Sequence, residues 1–191
     1  MSFFLFDADA PPHDSSPFPS SARLRAKIRA IGYSPLTVLL RVASEIDLST
    51  ITVLSVRGGG ENSSEDTEWA DIFAVLAGVR TLYLLDMTGK PDVSIFRALG
   101  KHIGDPPSLL LPCLDYIWLA TDAVSTVHSA YRLPAEELVG MLTSRAKLST
   151  SIVRSPRSLR VEANVALENP DGGTPVLLQL NVLVSTIRWK D

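Results

Sequence analysis

Leu48-Ser49-Thr50-Ile51-Thr52-Val53-Leu54-Ser55-Val56 is spaced so that apolar residues fall at positions 1, 4, 7 and 9 of a nine-residue string. The same spacing returns at Leu76-Val79-Leu82-Leu84 and at Leu111-Leu114-Ile117-Leu119, and a weaker copy ends at Leu159 and Val161. The last two members of each string are two apart, which puts both on one side of an extended chain. Three matched strings therefore predict three strands in equivalent register, with Leu54, Leu82, Ile117 and Leu159 facing a common core.

This L-x-x-L-x-x-L-x-L pattern is the signature of a leucine-rich repeat. Between the strands, apolar residues recur at helical spacing. Trp69, Ile72, Phe73 and Leu76 predict a helix over 68–76, and Val93, Phe96, Leu99 and Ile103 one over 93–103. Pro134, Glu136 and Glu137 mark the start of another helix, with Leu138, Met141 and Leu142 as its buried stripe and Arg145 and Lys147 at its end. Strands alternating with helices give an α/β chain, expected as a leucine-rich-repeat-like solenoid with a parallel sheet on the concave face and helices outside. A doubly wound α/β sandwich is the competing architecture. The repeat spacings lengthen along the chain, so insertions are expected in the connections outside the strands.

The expected organisation is an N-terminal part over residues 1–35 and a repeat domain over 36–191. The first holds a strand over 2–6, a flexible Pro/Ser-rich segment over 10–22, and a short helix over 23–30 capped by Ser20 or Ser21. The basic and apolar residues of 23–30 also alternate, as in a strand; the four-residue spacing of Leu24 and Ile28 favours the helix. Residues 36–42 read as a strand from their Leu and β-branched content. Residues 176–189 read as one or two strands after the Pro170-Asp171-Gly172-Gly173 turn.

Composition narrows the function classes. With 191 residues the chain can bury a substantial core. A net charge of −3 argues against a nucleic-acid binder. Cys113 is the single cysteine, so no internal disulfide framework exists, and an intracellular location, cytoplasmic or nuclear, is expected. No apolar window approaches the length of a membrane span, so no membrane partner is expected.

Few constellations suggest chemistry. Phe3-Phe4-Leu5-Phe6-Asp7-Ala8-Asp9 resembles the nucleophile motif of haloacid-dehalogenase-type phosphatases, in which one Asp attacks phosphorus and the other handles the proton. A small phosphatase or hydrolase using Asp7 and Asp9 is the alternative function, although Ala10-Pro11-Pro12 stands where the motif expects Thr or Val. Gly58-Gly59-Gly60 follows a strand, yet position 63 is Ser, and Glu61, Glu65, Asp66 and Glu68 would repel phosphate. His13, His102 and His128 form no metal spacing. No catalytic residue, cofactor or metal is therefore expected. If Leu54, Leu82, Ile117 and Leu159 point inward, the next positions form an outward ladder of Ser55, Tyr83, Trp118 and Arg160, with Tyr116 beside it. Aromatic residues and Arg dominate protein-interface hot spots, so these five are the expected protein-contact residues; the alternative is that a terminal segment, such as the C-terminal strand, covers Trp118 and Tyr83.

The stretch 48–57, the string Trp69-x-x-x-Phe73-x-x-Leu76-x-x-Val79-Arg80-x-Leu82, and Leu109-Leu110-Leu111-Pro112-Cys113-Leu114-Asp115 resemble the repeat region of the F-box/leucine-rich-repeat-like proteins of mushroom-forming fungi. The resemblance covers about residues 36–165. It implies a non-enzymatic protein-binding module whose repeats hold the substrate of an F-box-type ubiquitin ligase. In that family an N-terminal F-box docks the ligase adaptor. Here a strand and a Pro/Ser segment precede the repeats, so ligase components are expected as partners only if a longer chain supplies an F-box. The bound protein itself is not identified by the sequence.

Overall fold

The computed structural model describes residues 2–6, 25–29, 35–45, 47–57, 66–85, 93–104, 108–120, 131–148, 156–162, 165–168 and 176–190. Five strands decide the architecture: β3 (Val53–Arg57), β4 (Thr81–Leu85), β7 (Tyr116–Ala120), β9 (Ser158–Glu162) and β11 (Thr186–Lys190). They lie side by side in chain order and all run parallel. β1 (Ser2–Phe6) pairs antiparallel with β3 and in turn with β2 (Arg25–Arg29), completing a seven-stranded sheet. Two small sheets stand apart: β5 (His102–Ile103) with β6 (Ser108–Leu109), and β8 (Tyr131–Pro134) with β10 (Val165–Glu168).

Helices occupy the connections. α1 (Pro35–Glu45), α2 (Asp66–Val75), α3 (Ser94–Gly100), α4 (Ala135–Leu148) and α5 (Val176–Leu183) form a row in which each packs on the next. Strand alternation sends Leu54, Val56, Leu82, Leu84, Ile117, Leu119, Leu159 and Val161 to one face. There they join Trp69, Ile72 and Phe73 of α2, Ile95, Phe96 and Leu99 of α3, and Leu138, Met141 and Leu142 of α4 in one apolar core. Trp69 and Phe73, one helical turn apart, stack with centroids 5.5 Å apart. Truncating a fully buried member such as Leu82 to Ala costs about 2–5 kcal/mol.

The first L-x-x-L of each string is a turn. The amide of Ile51 donates to the Leu48 carbonyl at 3.1 Å, that of Val79 to Leu76 at 3.0 Å, and that of Leu114 to Leu111 at 3.1 Å. Both apolar residues of each turn are buried, so the turn seals the core as it hands the chain to the strand. The next residues join one unit to another. Thr52 O accepts from the amides of Arg80 and Thr81, Arg80 O from Asp115 and Tyr116, and Asp115 O from Arg157 and Ser158, at 2.8–3.1 Å. Arg157 O accepts from Thr186 at 3.0 Å. At the first three of these four junctions one carbonyl thus serves two amides of the next unit. Gly78 sits where this stacking is tightest, since a Cβ there would lie 2.0 Å from the Ser49 carbonyl oxygen.

Several expectations need correction. Residues 36–42 belong to helix α1, not to a strand: Thr37, Arg41 and Ser44 are exposed at spacings of four and three, a helical period, and Pro35 occupies the first helical position. Residues 25–29 form strand β2, not a helix, and the alternation of Arg25, Lys27 and Arg29 is its sign. Residues 176–189 are a helix followed by a strand. The helix expected over 93–103 ends at Gly100, and His102–Ile103 opens an inserted β5–β6 excursion that lengthens this unit. Pro134 closes β8 immediately before α4 begins at Ala135. The N-terminal strand is part of the same sheet as β3. The Pro/Ser segment over 10–22, the triple glycine 58–60 and the turn 170–173 lie outside the described residues.

Candidate functional site

The second face of the sheet, turned away from the helices, carries the alternate residues of the same strands. Ser55, Tyr83, Trp118 and Arg160 are successive Cα partners across β3, β4, β7 and β9, the order that the repeat spacing predicts. The Tyr83 and Trp118 rings lie 5.1 Å apart at 51°, and the Tyr116 ring meets Tyr83 edge-on at 6.5 Å. The Arg160 guanidinium sits 4.1 Å from the centre of the Trp118 ring, a cation–π contact. Shielded from water, such contacts are worth about 2 kcal/mol.

The ladder is closed to solvent. Ser55 and Tyr83 are 0% exposed, Trp118 5% and Arg160 6%; Tyr116 is half-buried. Val53, Tyr83, Trp118 and Ala120, with Leu85 and Tyr116 against them, make a second apolar cluster. The outward contact surface expected from strand alternation is therefore a second buried layer at these four positions. Its polar atoms are the unusual part. Ser55 Oγ, Tyr83 Oη and Trp118 Nε1 are buried with no hydrogen-bond partner among the described residues. Burial pushes the Tyr83 phenol well above the usual tyrosine range, the Tyr116 phenol adds to this, and the Arg160 charge opposes it. Tyr83 is thus a neutral hydroxyl at any physiological pH.

Two arginines carry roles that the repeat spacing does not disclose. Arg188 of β11 is the Cα partner of Arg160 and extends the ladder to a fifth, exposed rung. Arg145 occupies the position in α4 that Leu76 holds after α2, seven residues beyond the first apolar residue of the stripe. It is fully buried and donates to the carbonyls of Leu110 at 2.6 Å, Leu111 at 2.7 Å and Leu99 at 3.3 Å. Leu111 holds a left-handed backbone, φ 47°, at the start of its turn. Burial lowers the Arg145 pKa to about 10, which leaves the guanidinium charged at neutral pH. The pattern in the helix marks position 145 as buried; only the three carbonyls explain why an Arg can stand there.

Asp7, Asp9, His13 and His128 lie outside the described residues. Among the described residues no group of three His, Cys, Asp or Glu is placed to hold a metal ion, and no helix is long and apolar enough to cross a membrane. Cys113 is a half-buried free thiol in the turn between Leu111 and Leu114. No protein-family model, curated protein or solved structure matches the chain.

Proposed function

We propose that the chain is a leucine-rich-repeat-like solenoid acting as a non-enzymatic protein-binding module, with the exposed β11 end of the sheet face opposite the helices as its contact surface. The observation that carries this reading is the exposed Arg188 at the β11 end of the row, held in register with the buried rungs Ser55, Tyr83, Trp118 and Arg160 behind it. The strands follow one another in chain order with the same turn before three of them, as in a coil that repeats. In this reading the exposed β11 end of the face, Thr186 and Arg188, meets a partner first, next to half-buried Ser158 and Tyr116.

The most specific form of the proposal is substrate recognition within an F-box-type ubiquitin ligase, in an intracellular compartment. It rests on the fungal F-box-like resemblance and requires an F-box from a longer chain. The phosphatase alternative has less support. Phe6, which precedes Asp7, pairs with Val53 at the start of β3, whereas α/β enzymes gather their sites at the carboxyl ends of the parallel strands.

Affinity purification from the native host, with wild type and a folded Arg188→Glu variant compared by mass spectrometry, tests the reading. A protein retained by the wild type and lost from the variant is expected. Recovery of no adaptor and no cullin removes the ligase form. Magnesium-dependent phosphoester turnover that disappears in Asp7→Asn replaces the binding module with the enzyme.

A further inference from the structure

α5 is built like a buried helix. In Val176–Leu183 only Gln179 and Asn181 are polar, and neither carries a charge. A helix that is apolar all round is ordinarily covered all round. Here one side is covered: Leu180 enters the core, and Val176 and Leu183 pack against it. The opposite side exposes Leu178, Asn181 and Val182. Among the large apolar residues exposed in the described parts of the chain, Leu178 and Val182 are the two most open, and their four-residue spacing puts them on one stripe. The other helices differ. Each shows charge to solvent: Arg41 and Glu45 on α1, Asp71 on α2, Arg97 on α3, and Glu136 and Lys147 on α4. From Val176 to Ile187 the sequence has no charged residue, and exposed Ser185 and Thr186 continue the uncharged surface beyond the helix.

Two properties of this face decide what fits it. An uncharged patch gives an oppositely charged partner nothing to read, and it does not repel its own image. The stripe is also apolar at both ends, so a two-fold axis through its middle sets Leu178 of one copy on Val182 of the other and repeats the contact. The neighbouring strand edge is a poorer seam: β11 carries Arg188 and Lys190 within five residues, and pairing two such edges would gather their positive charges. We propose that α5 is a self-association face, on which a second copy of this chain packs its own α5 antiparallel across a two-fold axis. At 1.5 Å per residue the helix is about 12 Å long, so the contact belongs to the small class of interfaces and the dimer is weak and reversible. Charges of matching sign at these positions do not replace the apolar contact, because exposed ion pairs contribute little. This goes beyond the protein-binding reading and does not depend on it.

The test is sedimentation velocity of the full-length chain from micromolar to near-millimolar concentration. A monomer–dimer equilibrium with no larger species is expected, because an isologous contact closes on itself. Val182→Lys raises the dimer dissociation constant at least about tenfold, whereas Val75→Lys, the same change at an exposed residue of α2, leaves it as it was. Thermal melts at high dilution match the wild type for both, which separates association from folding. Orientation is read in a Cys113→Ser background, where Leu178→Cys chains cross-link with Val182→Cys chains faster than either does with itself. Faster cross-linking of each with itself overturns the antiparallel arrangement, and growth beyond the dimer overturns the closed two-fold contact. A wild type that stays monomeric throughout, or a Val182→Lys chain that associates like the wild type, overturns the self-association face altogether.

Discussion

Arg145, in the middle of the helical core, holds the carbonyl of Leu110 at 2.6 Å and thereby ties α4 to the turn that launches β7. The same guanidinium reaches Leu111 and Leu99, so one side chain satisfies carbonyls from the turn and from the end of α3. Arg145→Met keeps the bulk and removes the donors. Each stranded buried acceptor costs about 1–3 kcal/mol, partly offset because no charge remains to be buried. We expect a loss of at least about 2 kcal/mol in urea unfolding. Arg145→Lys should recover only part of it, since a single ammonium cannot copy the planar fork. A Met variant as stable as wild type would falsify the clamp.

Two glycines should respond in opposite directions to the same substitution. Gly78→Ala drives a methyl into the Ser49 carbonyl, 2.0 Å away, and the backbone of two stacked turns has to move. The expected loss is about 1–3 kcal/mol. Gly140 lies exposed within α4 with nothing within 4 Å of its would-be Cβ. There Ala should add about 0.5–1 kcal/mol by helix propensity. Thermal melts of the two variants, one lowered and one raised, check both claims.

Tyr83 links the second buried layer to alkaline stability. Its phenol stays protonated in the folded chain beyond pH 10, where an unfolded tyrosine ionises. The folded state then holds a proton that the unfolded state has released, so stability is full below pH 10 and falls as pH rises past it. The slope approaches about 1.4 kcal/mol per pH unit. Absorbance at 295 nm should report at most three of the four tyrosines ionising before the chain unfolds. Tyr83→Phe should flatten the alkaline loss, and at pH 7 should be neutral or mildly stabilising, because it deletes a buried hydroxyl without a partner.

The outer side of α5 exposes Leu178 at 57% and Val182 at 85%, one helical turn apart. Neither contributes to the core, which α5 enters through Leu180. Leu178→Lys with Val182→Glu should change stability by no more than about 0.5 kcal/mol while reducing self-association at high concentration. Light scattering alongside a thermal melt separates the two effects. A large drop in melting temperature would mean that this side of α5 is structural.

The repeat was legible because its geometry is local. A turn closed by an i to i+3 hydrogen bond and a strand of period two translate directly into apolar spacing, and Leu54, Leu82, Ile117 and Leu159 fell into register on that basis. The fifth unit escaped for an equally local reason. Its turn is one residue longer: Val184 donates to Leu180, four back, so the string becomes L-x-x-x-V-x-x-I and no longer matches. Residues 176–189 read as one or two strands without a register, so Arg188 could not be set beside Arg160. α1 was misread because its Leu and Val content suits a strand, while the exposed Thr37, Arg41 and Ser44 kept helical time. Whether Tyr83 and Trp118 are exposed or covered stayed open in the sequence, since alternation assigns a side chain to a face and is silent on what that face meets; the structure buries both.

The paired hydrogen bonds at Thr52, Arg80 and Asp115 make the chain's length a quantised property. Each carbonyl presents the same two-amide socket to its successor, and from Leu54 to Leu82, as from Leu159 to Ile187, the phase advances by 28 residues. Excising residues 54–81 would bring Leu82 in behind Val53 with every inward residue still inward. Excising one residue fewer would turn the next strand inside out. Insertion or deletion along this axis is therefore expected to be tolerated in whole strand–helix units, so that the sheet can gain or lose a strand without any neighbouring strand being rebuilt.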